Sequence, residues 1–270
     1  MKNILIYFLA FIFMVSPGGI YIKSDTTGYY CDTAYFESGT VYYNETETFT
    51  YDSYTVSQVF VTNGLPVYDN YTQTNSCAPM AGAILLAFYD YYYDDLIPDY
   101  TSACIYNNKF YYMGQSAKFN SLKEHLYDLM GTNTISQGTS LLQFVAGLTS
   151  YVNSQGFSMN FDYCGNGSNV NLFIEKFNNN TPVVVFLNSY DYTPFGNYSV
   201  TDTEMTLIKR VSSNGHVAVA CGYREYHFFK DGVDFRTDKY LITSFGNGTQ
   251  GLLKINDCSK MDTSVYITLS

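Results

Sequence analysis

The run from Cys77 to about Tyr93 constrains the fold most. It reads Cys77-Ala78-Pro79-Met80-Ala81-Gly82-Ala83-Ile84-Leu85-Leu86-Ala87-Phe88-Tyr89-Asp90 and continues into three tyrosines. The text is helical and apolar nearly all round. A helix with no polar face must lie in the middle of a domain, with other elements packed on every side. Pro79 is tolerated in a first helical turn, and Ser76 is the expected N-cap. Cys77 then occupies the helix start, where unpaired N–H groups and the helix dipole favour an anion, and the thiolate is the nucleophilic form of cysteine.

A nucleophile of this kind needs a partner that takes a proton and later delivers it to a leaving group. His216 is the candidate. It opens the text Gly215-His216-Val217-Ala218-Val219-Ala220-Cys221-Gly222-Tyr223, which reads as a buried strand. Taken singly, each residue has a plainer explanation, a buried structural thiol and a structural histidine. His125 falls within a predicted helix and is expected to face solvent; His227 lies in a later strand.

Around these two residues the elements divide. Residues from about Ser24 to Thr62 alternate tyrosine, threonine, valine and phenylalanine with acidic residues, so strands or an extended arm are expected. This stretch is an extension of the fold or a removable pro-segment; the extension is preferred because it is neither helical nor basic. Helices are predicted over Phe119 to Met130, Ser140 to Ser154 and Asn171 to Asn178. Strands are predicted over Val183 to Leu187, His216 to Tyr223, Glu225 to Lys230, Tyr240 to Ser244, Leu252 to Ile255 and Ser264 to Leu269. Asp231-Gly232 marks a hairpin turn. Helices followed by an antiparallel sheet make an α+β domain, here spanning 65–270 behind an extension at 20–64.

Residues 1–19 read as a signal peptide. Lys2 gives the positive start, Ile4 to Val15 the apolar stretch, and Ser16-Pro17-Gly18 a small-residue exit. The mature chain is expected to be exported, soluble and monomeric, with no membrane association after cleavage. A net charge of −10 and a pI near 4.6 argue against nucleic acid as a partner, since that needs a basic face. The chain has 29 tyrosines and no tryptophan, which places many aromatic hydroxyls near the surface. Of the six cysteines, Cys221 is the expected core thiol. Cys31, Cys104, Cys164 and Cys258 remain for up to two disulfides of open connectivity. No cysteine pair has metal-ligand spacing, so neither a zinc site nor any other cofactor is expected. Six Asn-x-Ser/Thr sequons permit glycosylation without establishing it.

Cysteine first and histidine roughly 130–150 residues later is the papain-type order. The residues Cys77 to Gly82 through Tyr89-Asp90, then Thr181-Pro182-Val183-Val184-Val185, then Gly215 to Val219 through Gly222-Tyr223, make the chain resemble a papain-like cysteine peptidase. The similarity is greatest to the branch related to bacterial double-glycine (bacteriocin-processing) peptidases, including secreted versions without a transporter. It covers about Leu65 to Ile255. The resemblance implies a papain-like fold with a central buried helix carrying the cysteine, and hydrolysis of a protein or peptide substrate. It assigns Cys77 as nucleophile and His216 as base. The Cys77 N–H and a side-chain donor, Gln73 or in its place Asn75, form the oxyanion hole. Matching Ser244-Phe245-Gly246 to the family's Ser-Trp-Gly puts Thr243 at the histidine-orienting position, where the family carries Asn or Asp; Asn247 is the substitute. Other functions open on these residues are a silent or weak papain-like binding module and a peptidoglycan-directed amidase or endopeptidase.

Overall fold

The computed structural model describes residues 21–23, 29–31, 42–68, 73–114, 116–135, 137–167 and 169–270. The signal-peptide segment lies outside them, as do the side chains of Cys31 and Cys258. No helix among the described residues is long and apolar enough to cross a membrane.

The architecture is mixed α+β. Helix α1 spans Cys77–Asp90, α2 Ala117–Leu129, α3 Leu141–Ser154 and α4 Val170–Asn178. Every residue of α1 is buried, as its all-round apolar sequence requires. α2 and α3 pack on α1, which in turn packs on the sheet. Both flanking helices begin with a serine whose hydroxyl accepts a backbone N–H, Ser116 from Phe119 at 3.2 Å and Ser140 from Gln143 at 3.2 Å. In α3 the Gln143 amide oxygen also accepts the Ser140 N–H at 2.9 Å, completing a capping box. Ser76 precedes α1 as expected, but its side chain makes no capping bond. The helix also stops three residues short of Tyr93. The Asp90 carboxylate accepts the N–H groups of Ile97 at 2.8 Å and Ser102 at 3.3 Å, and so organises the turn that leads the chain away.

In chain order the strands are β1 (Tyr21–Lys23), β2 (Tyr29–Cys31), β3 (Tyr42–Thr50), β4 (Ser53–Phe60), β5 (Ala103–Tyr106), β6 (Lys109–Tyr112), β7 (Met159–Tyr163), β8 (Val183–Leu187), β9 (Tyr190–Pro194) and β10 (Tyr198–Val200). They continue with β11 (Glu204–Ser212), β12 (His216–Lys230), β13 (Val233–Ser244), β14 (Gln250–Lys254) and β15 (Met261–Leu269). β1 with β2 and β5 with β6 are separate hairpins. The remaining strands form one antiparallel sheet in the order β10-β11-β9-β14-β13-β12-β8-β15-β7. The β3–β4 arm joins two parts of that path, β3 pairing along all of β11 and β4 along most of β12. Tyr51 sits where the arm crosses over. Its ring and that of Phe49 pack on Phe228 of β12, each at 4.8 Å between centroids. Residues 42–60 are thus hydrogen-bonded into the same sheet as residues 204–230.

β12 is a single strand, not the two pieces expected. An irregularity between Ala220 and Gly222 sets Cys221 outside the one-to-one register with β13. An extra residue of this kind reverses which residues face each side. His216, Ala218 and Ala220 therefore share one face of the sheet, while Arg224, Tyr226 and Phe228 lie on the other. The hairpin from β12 to β13 turns at Asp231-Gly232, both at positive φ (52° and 76°), as a tight two-residue turn demands.

Candidate active site

Cys77 is the first residue of α1 and His216 the first residue of β12, the strand against which α1 packs. Both are buried, at 1% and 2% exposure. At this end β12 pairs with β8, His216 lying opposite Leu187, and its pairing with β13 begins at Val219, so the histidine backbone is fixed along β8.

The imidazole meets the Tyr190 ring at 5.8 Å and is held by Phe245 in two ways. Its Nε2 lies 3.1 Å from the Phe245 carbonyl oxygen, and its ring stacks on the Phe245 ring at 4.7 Å and 13°. A carbonyl oxygen only accepts, so Nε2 carries the hydrogen and Nδ1 is the basic nitrogen of the neutral ring. Phe245 is braced in turn by Tyr192, stacked on it at 3.8 Å, and by Tyr190, edge-on at 5.2 Å. β13 ends at Ser244, and Gly246 takes a φ of 69°. The chain thus leaves the ladder at Phe245, whose carbonyl is available to a side chain.

The Phe245 backbone carbonyl thus accepts from the imidazole where a side chain was expected. Thr243 is fully buried, and its hydroxyl makes no hydrogen bond. The Asn247 amide oxygen accepts the Thr249 hydroxyl at 2.7 Å and is engaged within its own turn. Of the two oxyanion candidates, Asn75 is tied down. Its amide nitrogen donates to Asn133 Oδ1 at 2.6 Å, and Asn133 itself holds the Thr74 carbonyl and the Tyr127 hydroxyl. Asn75 takes a φ of 63°, the strained hinge of the turn that delivers the chain to α1. Gln73 has a buried amide oxygen with no hydrogen-bond partner.

The other histidines lie elsewhere. His125 is exposed on α2 beside Tyr151. His227 sits between Asp234 Oδ2 at 2.8 Å and Glu225 Oε1 at 2.9 Å, and these carboxylates, Asp234 first, raise its pKa. It is also roughly 35 Å along β12 from His216, at about 3.3 Å per residue. Cys104, Cys164 and Cys221 are thiols, so the bridges expected through Cys104 and Cys164 are not formed. Burial pushes the Cys164 and Cys221 thiols up to about 12. Among the described residues, no group of three or more histidine, cysteine or acidic side chains is arranged to hold a metal ion.

Phe245, Tyr190 and Tyr192 are the residues that sequence reasoning missed. The signal available was an aromatic residue directly before a glycine at a strand end. No protein-family model, curated protein or solved structure matches this chain.

Proposed function

We propose that the chain is a papain-like cysteine peptidase, exported and monomeric, acting through Cys77 and His216 on a protein or peptide substrate. The observation that carries this reading is the His216 Nε2–H bond to the Phe245 carbonyl at 3.1 Å. It fixes the tautomer in which Nδ1 accepts a proton, while Cys77 opens a helix that favours its thiolate.

In this mechanism the Cys77 thiol gives its proton to His216 Nδ1, and the thiolate attacks the scissile carbonyl carbon. The oxyanion is held by the Cys77 N–H and the Gln73 amide. Nδ1–H protonates the leaving amine as the C–N bond breaks, leaving a thioester. Water then attacks the thioester, giving its proton back to Nδ1, and the carboxylate leaves as the thiol is restored. The neutral Phe245 carbonyl keeps the ring in place through both halves.

A second reading, a silent papain-like module, is favoured by the near-complete burial of both side chains. One experiment separates the two. The protein is treated at neutral pH with iodoacetamide or an epoxysuccinyl probe, labelled cysteines are mapped by mass spectrometry, and turnover of a general protein substrate is followed under reducing conditions. Fast labelling at Cys77, lost together with turnover in Cys77→Ala and His216→Ala, supports the peptidase. Labelling of Cys77 no faster than of Cys221 rejects it.

A further inference from the structure

On the sheet face opposite His216 lies an open groove of about 460 Å³, within the size range of ligand sites. Tyr54, Phe195, Tyr198 and Tyr226 form its aromatic walls, and Arg224 lies among them. Among the described residues the guanidinium is held by neutral oxygens. Nε donates to Gln58 Oε1 at 3.1 Å, and Nη1 donates to the hydroxyls of Tyr198 at 3.0 Å and Tyr226 at 3.4 Å. Among the described residues no carboxylate pairs with it, although the chain carries a net charge of −10. Arg236, on the same face, is neutralised by Glu47 Oε1 and Asp238 Oδ2, both at 2.6 Å. Arg224 thus keeps the N–H groups of Nη2 for a ligand, in an oriented and partly desolvated fork suited to a carboxylate.

The walls add a second requirement. The groove is flanked by β4 and β10, and among the described residues each pairs with another strand on one side only, β4 with β12 and β10 with β11. Open strand edges beside an aromatic groove suit an extended chain, which adds backbone hydrogen bonds along the edge and sets alternate side chains against the rings.

We propose that this groove binds an acidic peptide in extended conformation, its carboxylate paired with Arg224 and its backbone aligned on the open edge of β4. The site is separate from the Cys77–His216 pair. Arg224 is eight residues beyond His216 on β12, roughly 25 Å along the strand, and the irregularity at Cys221 turns it to the other face. Binding here does not depend on the peptidase reading.

The test is fluorescence anisotropy with labelled peptides on the full chain carrying Cys77→Ala, so that no cleavage consumes the probe. The acetyl-Thr-Val-Glu-Val-Thr-amide probe presents a side-chain carboxylate. The Thr-Val-Gln-Val-Thr probe with a free C-terminal acid presents a terminal one, and the Gln peptide as its amide presents neither. One of the two acids should bind at least about tenfold more tightly than the neutral amide, the margin of a charge-assisted hydrogen bond, and the one that does identifies the carboxylate. Arg224→Gln should abolish that margin. Val56→Glu, which places a carboxylate on an exposed position of the same wall, should abolish it without disturbing the guanidinium's own partners. Equal binding of all three peptides, an unchanged margin in both variants, or binding of a glucuronate disaccharide without either acidic peptide would overturn the proposal.

Discussion

Replacing Thr243 by valine tests which group orients His216. The Thr243 hydroxyl is fully buried and makes no hydrogen bond, while His216 Nε2 is held by the Phe245 carbonyl. A buried hydroxyl without a partner costs roughly 1–3 kcal/mol in desolvation. Valine fills the same space with a methyl group, so the variant should be more stable by about 1 kcal/mol. For a chain of this size that corresponds to a rise of roughly 2–4 °C in melting temperature. The imidazole should not notice, and both the Cys77 alkylation rate and peptide turnover should stay within about twofold of the parent. The opposite assignment makes an opposite prediction. If the threonine oxygen accepted the imidazolium N–H, its loss would remove a hydrogen bond to a charged group, roughly 1.5–3 kcal/mol or ten- to more than a hundredfold in rate. The assays are calorimetry and pseudo-first-order iodoacetamide labelling across pH, with mass-spectrometric readout at Cys77. A tenfold fall in the labelling rate with an unchanged or lowered melting temperature would refute the backbone-acceptor argument.

Cys164 and Cys221, with thiols raised to about 12 by burial, should leave only about one part in 10⁵ as thiolate at pH 7 and alkylate far more slowly than Cys77 in the native protein; peptide mapping reads this directly. Gly147→Ala should lower stability by about 1–3 kcal/mol, since a Cβ there would lie 2.8 Å from the Met130 backbone nitrogen and force the end of α2 away from α3; thermal melting checks it. Burial would raise the Glu47 carboxyl, but its hydrogen bonds from Lys209 and Arg236 outweigh that and hold it at about 2, below its ordinary 4.5. A depressed folded pKa stabilises the fold above 4.5, and that contribution is lost as pH falls from 4.5 towards 2. Acid titration of unfolding should show this loss, and Glu47→Gln should flatten that part of the profile.

The features legible in the sequence were those written in side-chain periodicity. α1 was visible because no face of it is polar, and β8 because Val183 to Leu187 is uniformly apolar and buried. β12 was read as two strands because its alternation changes phase at Cys221, and a change of phase looks like an interruption when the partner strand is unseen. β11 was missed for another reason. Met205 and Leu207 point inward, but the next inward residue is Lys209, a charge at a core position. It is tolerated there because Glu45 and Glu47 of β3 lie 2.8 Å and 3.0 Å from its ammonium, partners more than 160 residues away in sequence. The end of α1 was misjudged because Asp90 acts on backbone N–H groups further along the chain, a tertiary role that helix propensity does not record.

The histidine-orienting group escaped for the deepest reason. A backbone acceptor has no residue type, so searching for Asn, Asp or Thr near the end of β13 finds side chains and never the carbonyl. What the sequence does carry is the means of presenting it. Gly246 supplies the positive φ that turns the chain off the ladder, and Phe245 supplies the ring that stacks on the imidazole and is itself braced by Tyr192. On the peptidase reading, the pair Phe245-Gly246 does jointly what one carboxamide does in papain-like peptidases. The substitution has a chemical consequence. A carbonyl dipole fixes the tautomer as firmly as a carboxylate but adds no full negative charge, so it stabilises the imidazolium less.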